Sequence, residues 1–113
     1  MCIRDRVRFF CCDDPDGTCV EFIERREPGP LRMSHINVNC SDLDRSSDWY
    51  QRVLGVSTIA PRAEPPPSSG AGFGFDGDCA YRADFLAVGG APDSMLIDLL
   101  EWKSHAPIGT PLV

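Results

Sequence analysis

Three side chains that could bind a cation or move a proton occupy strand-like positions in this sequence: Glu21, His35 and Asp98. Glu21 lies in the segment TCVEFIE and Asp98 in the segment MLIDLLEW, so bulky apolar residues flank each carboxylate. His35 begins a row of alternate polar residues that continues with Asn37 and Asn39. Because strand side chains alternate between two faces, this row predicts a polar wall on one face of a sheet.

The strand that carries His35 is predicted by alternation over residues 33–40. Ile36, Val38 and Cys40 form its apolar face, opposite to the polar row. An apolar strand face needs a covering element, and the next segment of the chain can supply one.

A capped helix is predicted over residues 42–54. Ser41 is a favourable N-cap, and Gly55 can adopt the left-handed conformation that ends a helix. The helix is expected to pack four apolar side chains on the first strand: Leu43, Tyr50, Val53 and Leu54.

Three further strands are predicted over residues 56–60, 79–88 and 95–102. Residues 61–78 are rich in Pro, Gly and Ser and are predicted to lack regular structure. The order of elements from residue 33 is therefore β-α-β-β-β.

A β-hairpin is predicted over residues 7–24, with its turn at the DPDG sequence of residues 14–17. Alternation places Glu21 on one face with Cys19 and Ile23. The Pro-Gly-Pro sequence within residues 25–32 predicts an extended linker.

Composition limits the classes of function. The 113 residues carry a formal net charge of −6, which argues against binding nucleic acid through phosphate neutralisation. No stretch approaches the roughly 20 apolar residues of a membrane span. The expectation is a soluble, cytoplasmic protein that handles small molecules.

Six cysteines show no regular spacing, so we expect small buried hydrophobes rather than a disulfide framework. A zinc knuckle at Cys11, Cys12 and Cys19 is the alternative. It is disfavoured because adjacent cysteines point to opposite faces of a strand.

The segments DDPDGTCVEFIE and MSHINVNCSDLDRSSDWYQRVLG resemble the vicinal oxygen chelate superfamily. That superfamily includes glyoxalase I, the extradiol dioxygenases and the bleomycin- and fosfomycin-resistance proteins. The resemblance covers most of residues 7–105 and implies an α+β fold. It implies one βαβββ module, a glyoxalase-like half barrel, at residues 33–105, and it makes the hairpin a remnant of a preceding module.

The same resemblance implies that the chain is an internal fragment. Residues 106–113 are then a truncated connector. Residues 1–6, MCIRDR, match the translation of a common sequencing adapter and are expected to be a non-native scar.

In this family the first strand of a module can donate a His, and the fourth a Glu, to a divalent metal ion. The resemblance therefore implies His35, Asp98 and Glu21 as metal ligands, although Asp98 is one methylene shorter than the usual Glu. Whether Glu21 and His35 share one site depends on whether the linker joins paired modules or separates two domains. We also predict that His35 and Asp98 point into one concave space, opposite to Ile36, Val38, Ile97 and Leu99.

Substrate-binding candidates are Asn37, Asn39 and Arg82, with Tyr81 beside them. The alternatives are exposed strand polars and a surface ion pair between Arg82 and Asp84. No catalytic residue can be assigned.

Three functions stay open. The first is a metal-dependent lyase, isomerase or dioxygenase acting on a small oxygenated substrate. The others are a metal-free, antibiotic-type binding module and an inactive truncated fragment. The expected partner is a second module in the same chain or a homodimer partner.

Overall fold

The structure is a computed structural model that describes residues 9–24, 28–91, 94–106 and 108 of the chain. The predicted scar at residues 1–6 and the first residues of the predicted hairpin lie outside the described residues. Parts of the predicted linker and most of the predicted connector also lie outside them.

The described residues form eight strands, one α-helix and one short 3-10 helix. The predicted α+β class and the β-α-β-β-β order of the main strands are thereby confirmed. In chain order the elements are β1 (Phe9–Asp13), β2 (Cys19–Ile23), β3 (His35–Asn39), α1 (Leu43–Leu54), β4 (Val56–Thr58), β5 (Ser68–Ser69), the 3-10 helix (Ala71–Phe73), β6 (Asp78–Cys79), β7 (Tyr81–Val88) and β8 (Leu96–Trp102).

The main sheet has the strand order β3-β8-β7-β4. The β3 and β8 strands are parallel, whereas the other neighbours are antiparallel. The register pairs Asn37 of β3 with Asp98 of β8, and Asp98 with Phe85 of β7. Paired residues point to the same face, so Asp98 shares a face with the polar row of β3.

Helix α1 covers the other face of the main sheet. Leu43 of the helix packs with Val56, Leu86 and Leu99 in the buried core. Half-buried neighbours complete this layer: Val38, Cys40, Tyr50 and Ile97. The face that carries His35 is therefore free of α1.

The hairpin of β1 and β2 forms as predicted within the described residues. Its turn is held by Asp14, whose Oδ1 accepts hydrogen bonds from the backbone N–H groups of Asp16 and Thr18, each at 2.9 Å. Gly17 has a φ of 82°, a left-handed conformation that L side chains rarely adopt. The local sequence thus specifies the turn.

The prediction of Ser41 as N-cap is wrong. Asp42 caps the helix, because its Oδ1 accepts a hydrogen bond from the backbone N–H of Arg45 at 3.0 Å. Gly55 ends the helix with a φ of 66°, as predicted.

The predicted burial of Val53, Leu54 and Ile36 is also wrong, since these side chains are 56 %, 53 % and 45 % exposed. The buried stripe of α1 runs through Leu43 and Ser47 instead. Val53 lies off this stripe at 100° per residue, Leu54 is in the last turn, and Ile36 is on an edge strand.

The segment at residues 61–78 is more ordered than predicted. It contains β5, which pairs with β6, and the 3-10 helix. Gly70 permits the close packing there, because an added Cβ would lie 2.8 Å from the Cβ of Phe75 and 2.9 Å from the carbonyl oxygen of Gly77. The predicted strand at residues 79–88 is divided at Ala80 into β6 and β7.

The prediction of buried cysteines is wrong for three residues. Cys11, Cys12 and Cys19 are exposed free thiols, whereas Cys40 is half-buried and Cys79 is buried. The exposed cysteines lie in the hairpin, and a two-stranded sheet is too small to bury both of its faces.

Candidate functional site

The hairpin and the main sheet meet where a histidine contacts a carboxylate. His35 Nε2, at the start of β3, lies 3.0 Å from Glu21 Oε2 of β2, and the side chains are 15 % and 25 % exposed. Ser34 Oγ lies 3.4 Å from the other ring nitrogen, Nδ1. The sequence left open whether Glu21 and His35 share a site, and the structure brings them together.

Asp98 lies on the same face of the sheet and is 7 % exposed. Burial raises the pKa of its carboxyl to about 6, His35 opposes this rise, and the negative charge of Glu21 adds to it. Its Oδ1 is buried and has no hydrogen-bond partner among the described residues. Asp98, His35 and Glu21 therefore belong to one electrostatic neighbourhood.

Tyr81 of β7 lies near this neighbourhood. Its register partner is Trp102, so both side chains lie on the face of Asp98. Burial raises the pKa of the Tyr81 hydroxyl, and the charges of Asp98 and Cys79 raise it further.

The two asparagines of the polar row differ in their contacts. Asn39 Oδ1 accepts a hydrogen bond from Trp102 Nε1 at 2.9 Å. Asn37 is exposed, and both asparagines line the cavity described below.

Arg82 lies on the opposite face, beside the N-terminus of α1. Its Nη2 is 2.5 Å from Glu101 Oε2 and 3.6 Å from Asp44 Oδ2. The hydrogen bond from Arg82 is the main cause that lowers the pKa of Glu101 to about 2. The predicted pair between Arg82 and Asp84 does not form, because Asp84 Oδ2 instead accepts from Arg62 Nε at 3.0 Å.

A cavity of about 1260 Å³ lies between the hairpin, the linker and the His35 face of the sheet. Glu21 and His35 line it, and so do several residues that sequence reasoning did not select: Leu96, Leu100, Trp102, Phe73 and Phe75. Alternation along the last predicted strand places Leu96, Leu100 and Trp102 on the same face as Asp98, so the sequence could have identified these three residues. No sequence signal pointed to Phe73 and Phe75, because they belong to the segment predicted to be irregular.

The potential metal ligands do not converge on one point. Within the part of the chain that the structure describes, no group of three or more His, Cys, Asp or Glu side chains is arranged to hold a metal ion. His35 and Glu21 contact each other, and Asp98 is near them. No helix of the described residues has the length and apolar character needed to cross a membrane.

Comparison with known proteins identifies a family for this chain. The family model of the Glyoxalase/Bleomycin resistance protein/Dioxygenase superfamily matches residues 32–95. This range begins before β3 and ends just before β8. No curated protein and no solved structure matches the chain.

Proposed function

Because this chain belongs to the Glyoxalase/Bleomycin resistance protein/Dioxygenase superfamily, we propose that it contributes to a metal-dependent lyase, isomerase or dioxygenase that acts on a small oxygenated substrate. One observation carries the proposal. The His35–Glu21 pair lies beside a buried carboxylate, Asp98, whose Oδ1 has no hydrogen-bond partner among the described residues.

The donor chemistry of these residues fits a divalent cation. One imidazole nitrogen and two carboxylates are borderline to hard ligands, which suit several divalent metals. Burial is the main cause that raises the pKa of Asp98, and the negative charge of Glu21 adds to it, so ionising this carboxyl is costly. A bound cation would offset that cost.

His35, Glu21 and Asp98 would hold this cation, which when bound would act as a Lewis acid on neighbouring oxygens of a substrate. Without a cation, Glu21 orients the His35 ring through the contact at Nε2. Without a cation, Asp98 can hold a proton up to about pH 6, because burial raises its pKa to about that value. The second module or second copy of the chain expected from the sequence would supply further ligands.

The test is a calorimetric titration of the chain with Zn²⁺, Ni²⁺ and Mn²⁺. The wild-type chain should bind close to one equivalent of at least one of these ions. His35→Ala should weaken that binding at least tenfold, because it removes the single nitrogen ligand. His105→Ala is the matched control, since His105 stacks on Phe75 with ring centroids 4.1 Å apart and is not among the proposed ligands.

Equal affinity of the wild-type chain and the His35→Ala variant would contradict the metal proposal. It would favour the second candidate, a metal-free binding module. That candidate is supported by the lack of convergence among the donors in the described chain and by the apolar side chains in the cavity.

A further inference from the structure

The part of the cavity at Trp102, the last residue of β8, is lined by aromatic rings. The ring centroids of Phe73 and Phe75 lie 5.3 and 5.0 Å from that of Trp102, with interplanar angles of 72° and 80°. Tyr81 adds a third edge contact to Trp102, at 5.5 Å. We call Phe73, Phe75 and Trp102 the aromatic wall, because all three line the cavity.

The aromatic wall is held in place by contacts outside itself. Trp102 donates its indole N–H to Asn39 Oδ1 at 2.9 Å, which fixes the plane of the indole. Phe75 stacks on His105 at 4.1 Å. Phe73 is still 44 % exposed, so nearly half of its surface is open. A flat ring that covered this surface would gain both apolar burial and favourable ring contacts.

The aromatic wall lies at a distance from the His35–Glu21 pair. His35 pairs with Leu96 of β8, and Trp102 lies six positions farther along that strand, which at a rise of about 3.3 Å per residue is about 20 Å. Leu96 and Trp102 point to the same face of β8. A single ring cannot contact His35 and the aromatic wall at once, whereas an elongated molecule can.

We propose that the aromatic wall binds the flat aromatic end of an elongated small molecule whose oxygen-bearing end reaches His35. The placement of the oxygen-bearing end at His35 rests on the function proposed above, whereas the binding of the aromatic end to the aromatic wall does not. The polar row of His35, Asn37 and Asn39 runs alongside the path between the two ends. Phe73 and Trp102 then select ligands by ring planarity.

The test uses 2-naphthol and its saturated analogue decahydro-2-naphthol, which share a skeleton and a hydroxyl but differ in planarity. The background is Trp49→Phe, so that the Trp102 indole N–H is the single tryptophan side-chain signal in a ¹⁵N-correlated NMR spectrum. A chelator keeps metal out of this experiment. 2-Naphthol should shift the Trp102 signal and bind at least threefold more tightly than the saturated analogue.

Phe73→Ala and Phe73→Leu should each weaken 2-naphthol binding roughly threefold to tenfold, the value of one aromatic contact. Phe73→Leu keeps most of the apolar volume of the side chain, so weaker binding in this variant reports the loss of the ring and not a folding defect. Phe10→Ala is the matched control, since Phe10 is 61 % exposed and stacks on Phe22 in the hairpin. It should change the affinity less than twofold.

Equal affinities for the two probes, or wild-type affinity in Phe73→Leu, would overturn the proposal. A dimer in sedimentation analysis, together with no shift of the Trp102 signal on adding 2-naphthol, would also overturn it, because a second copy of the chain would then fill the cavity.

A separate experiment tests the polar end with a naphthalene that carries a hydroxamate on a short flexible linker. Zn²⁺ should tighten the binding of this hydroxamate at least tenfold. If Zn²⁺ has no such effect while 2-naphthol still binds as expected, the metal proposal is contradicted and the aromatic wall is supported.

Discussion

Asp84 and Asp98 are buried carboxylates of one sheet in different surroundings. Asp84 is 1 % exposed, and its Oδ2 accepts from Ser47 Oγ at 2.7 Å and from Arg62 Nε at 3.0 Å. Asp98 faces His35 and Glu21 instead, and within the described residues no arginine or lysine contributes to the shift of its pKa. A carboxylate that is paired with an arginine between a helix and a sheet stabilises the fold. A carboxylate with a raised pKa beside a cavity is typical of a functional site.

The raised pKa of Asp98 makes the stability of the chain depend on pH. A folded-state pKa of about 6, against about 4 in the unfolded chain, means that the folded state holds this proton more tightly. The contribution to stability is full below pH 4 and is lost as the pH rises through 6. The loss is about 3 kcal/mol at most.

Asp98→Asn removes this titration. The difference in unfolding free energy between the variant and the wild type should therefore change by about 2–3 kcal/mol between pH 4 and pH 7, in favour of the variant at pH 7. Urea unfolding at pH 4 and at pH 7, in the presence of a chelator, measures this difference. Asp76→Asn, at an exposed site, is the control. A difference that did not vary with pH would show that Asp98 ionises in the folded chain as it does in water.

At the scale of elements, α1 is attached to the sheet by polar as well as apolar contacts. Ser47 is completely buried in the middle of the helix and bonds to Asp84 of β7. Gln51, one turn later, donates to Ser47 Oγ at 2.9 Å. Arg62, which follows β4, bonds to both Asp84 and Asp44. This network joins the helix, β7 and the segment after β4.

Ser47→Ala should lower the free energy of unfolding by about 1–3 kcal/mol, because a hydrogen bond to a buried charged group is lost. Urea denaturation at pH 7 measures the change, with the slope of the transition expected to stay the same. Ser41→Ala is the matched control. It should cost less than about 0.5 kcal/mol, since Asp42 and not Ser41 caps the helix. Equal effects of the two variants would contradict this role of Ser47.

At the scale of the whole molecule, the features that follow from local periodicity, such as which side chains share a face of a strand, could be predicted from the sequence. Alternation predicted the shared face of His35 and Asp98, and the β3–β8 register places them on one face. It did not predict that Glu21 contacts His35, because 13 intervening residues and a Pro-Gly-Pro linker separate them. Nor did it predict the aromatic wall, because Phe73 and Phe75 lie in a glycine-rich segment whose order depends on tertiary packing.

The position of the hairpin on the sheet depends on contacts across the linker. Strand β1 lies near the 3-10 helix, and β2 contributes the Glu21–His35 pair. Glu21→Gln keeps the size of the side chain but removes its charge, so the hairpin should be held less firmly. A partly exposed pair contributes up to about 1 kcal/mol.

Backbone amides of β2 should then exchange up to about fivefold faster with deuterium in Glu21→Gln than in the wild type, while those of β7 and β8 stay unchanged. Asp16→Asn is the matched control, because it removes one charge at the exposed turn of the same hairpin. Equal exchange in the two variants would show that apolar contacts alone position the hairpin. In that case Glu21 could leave His35 at little cost in free energy, and both side chains would be available to a ligand in the cavity that they line.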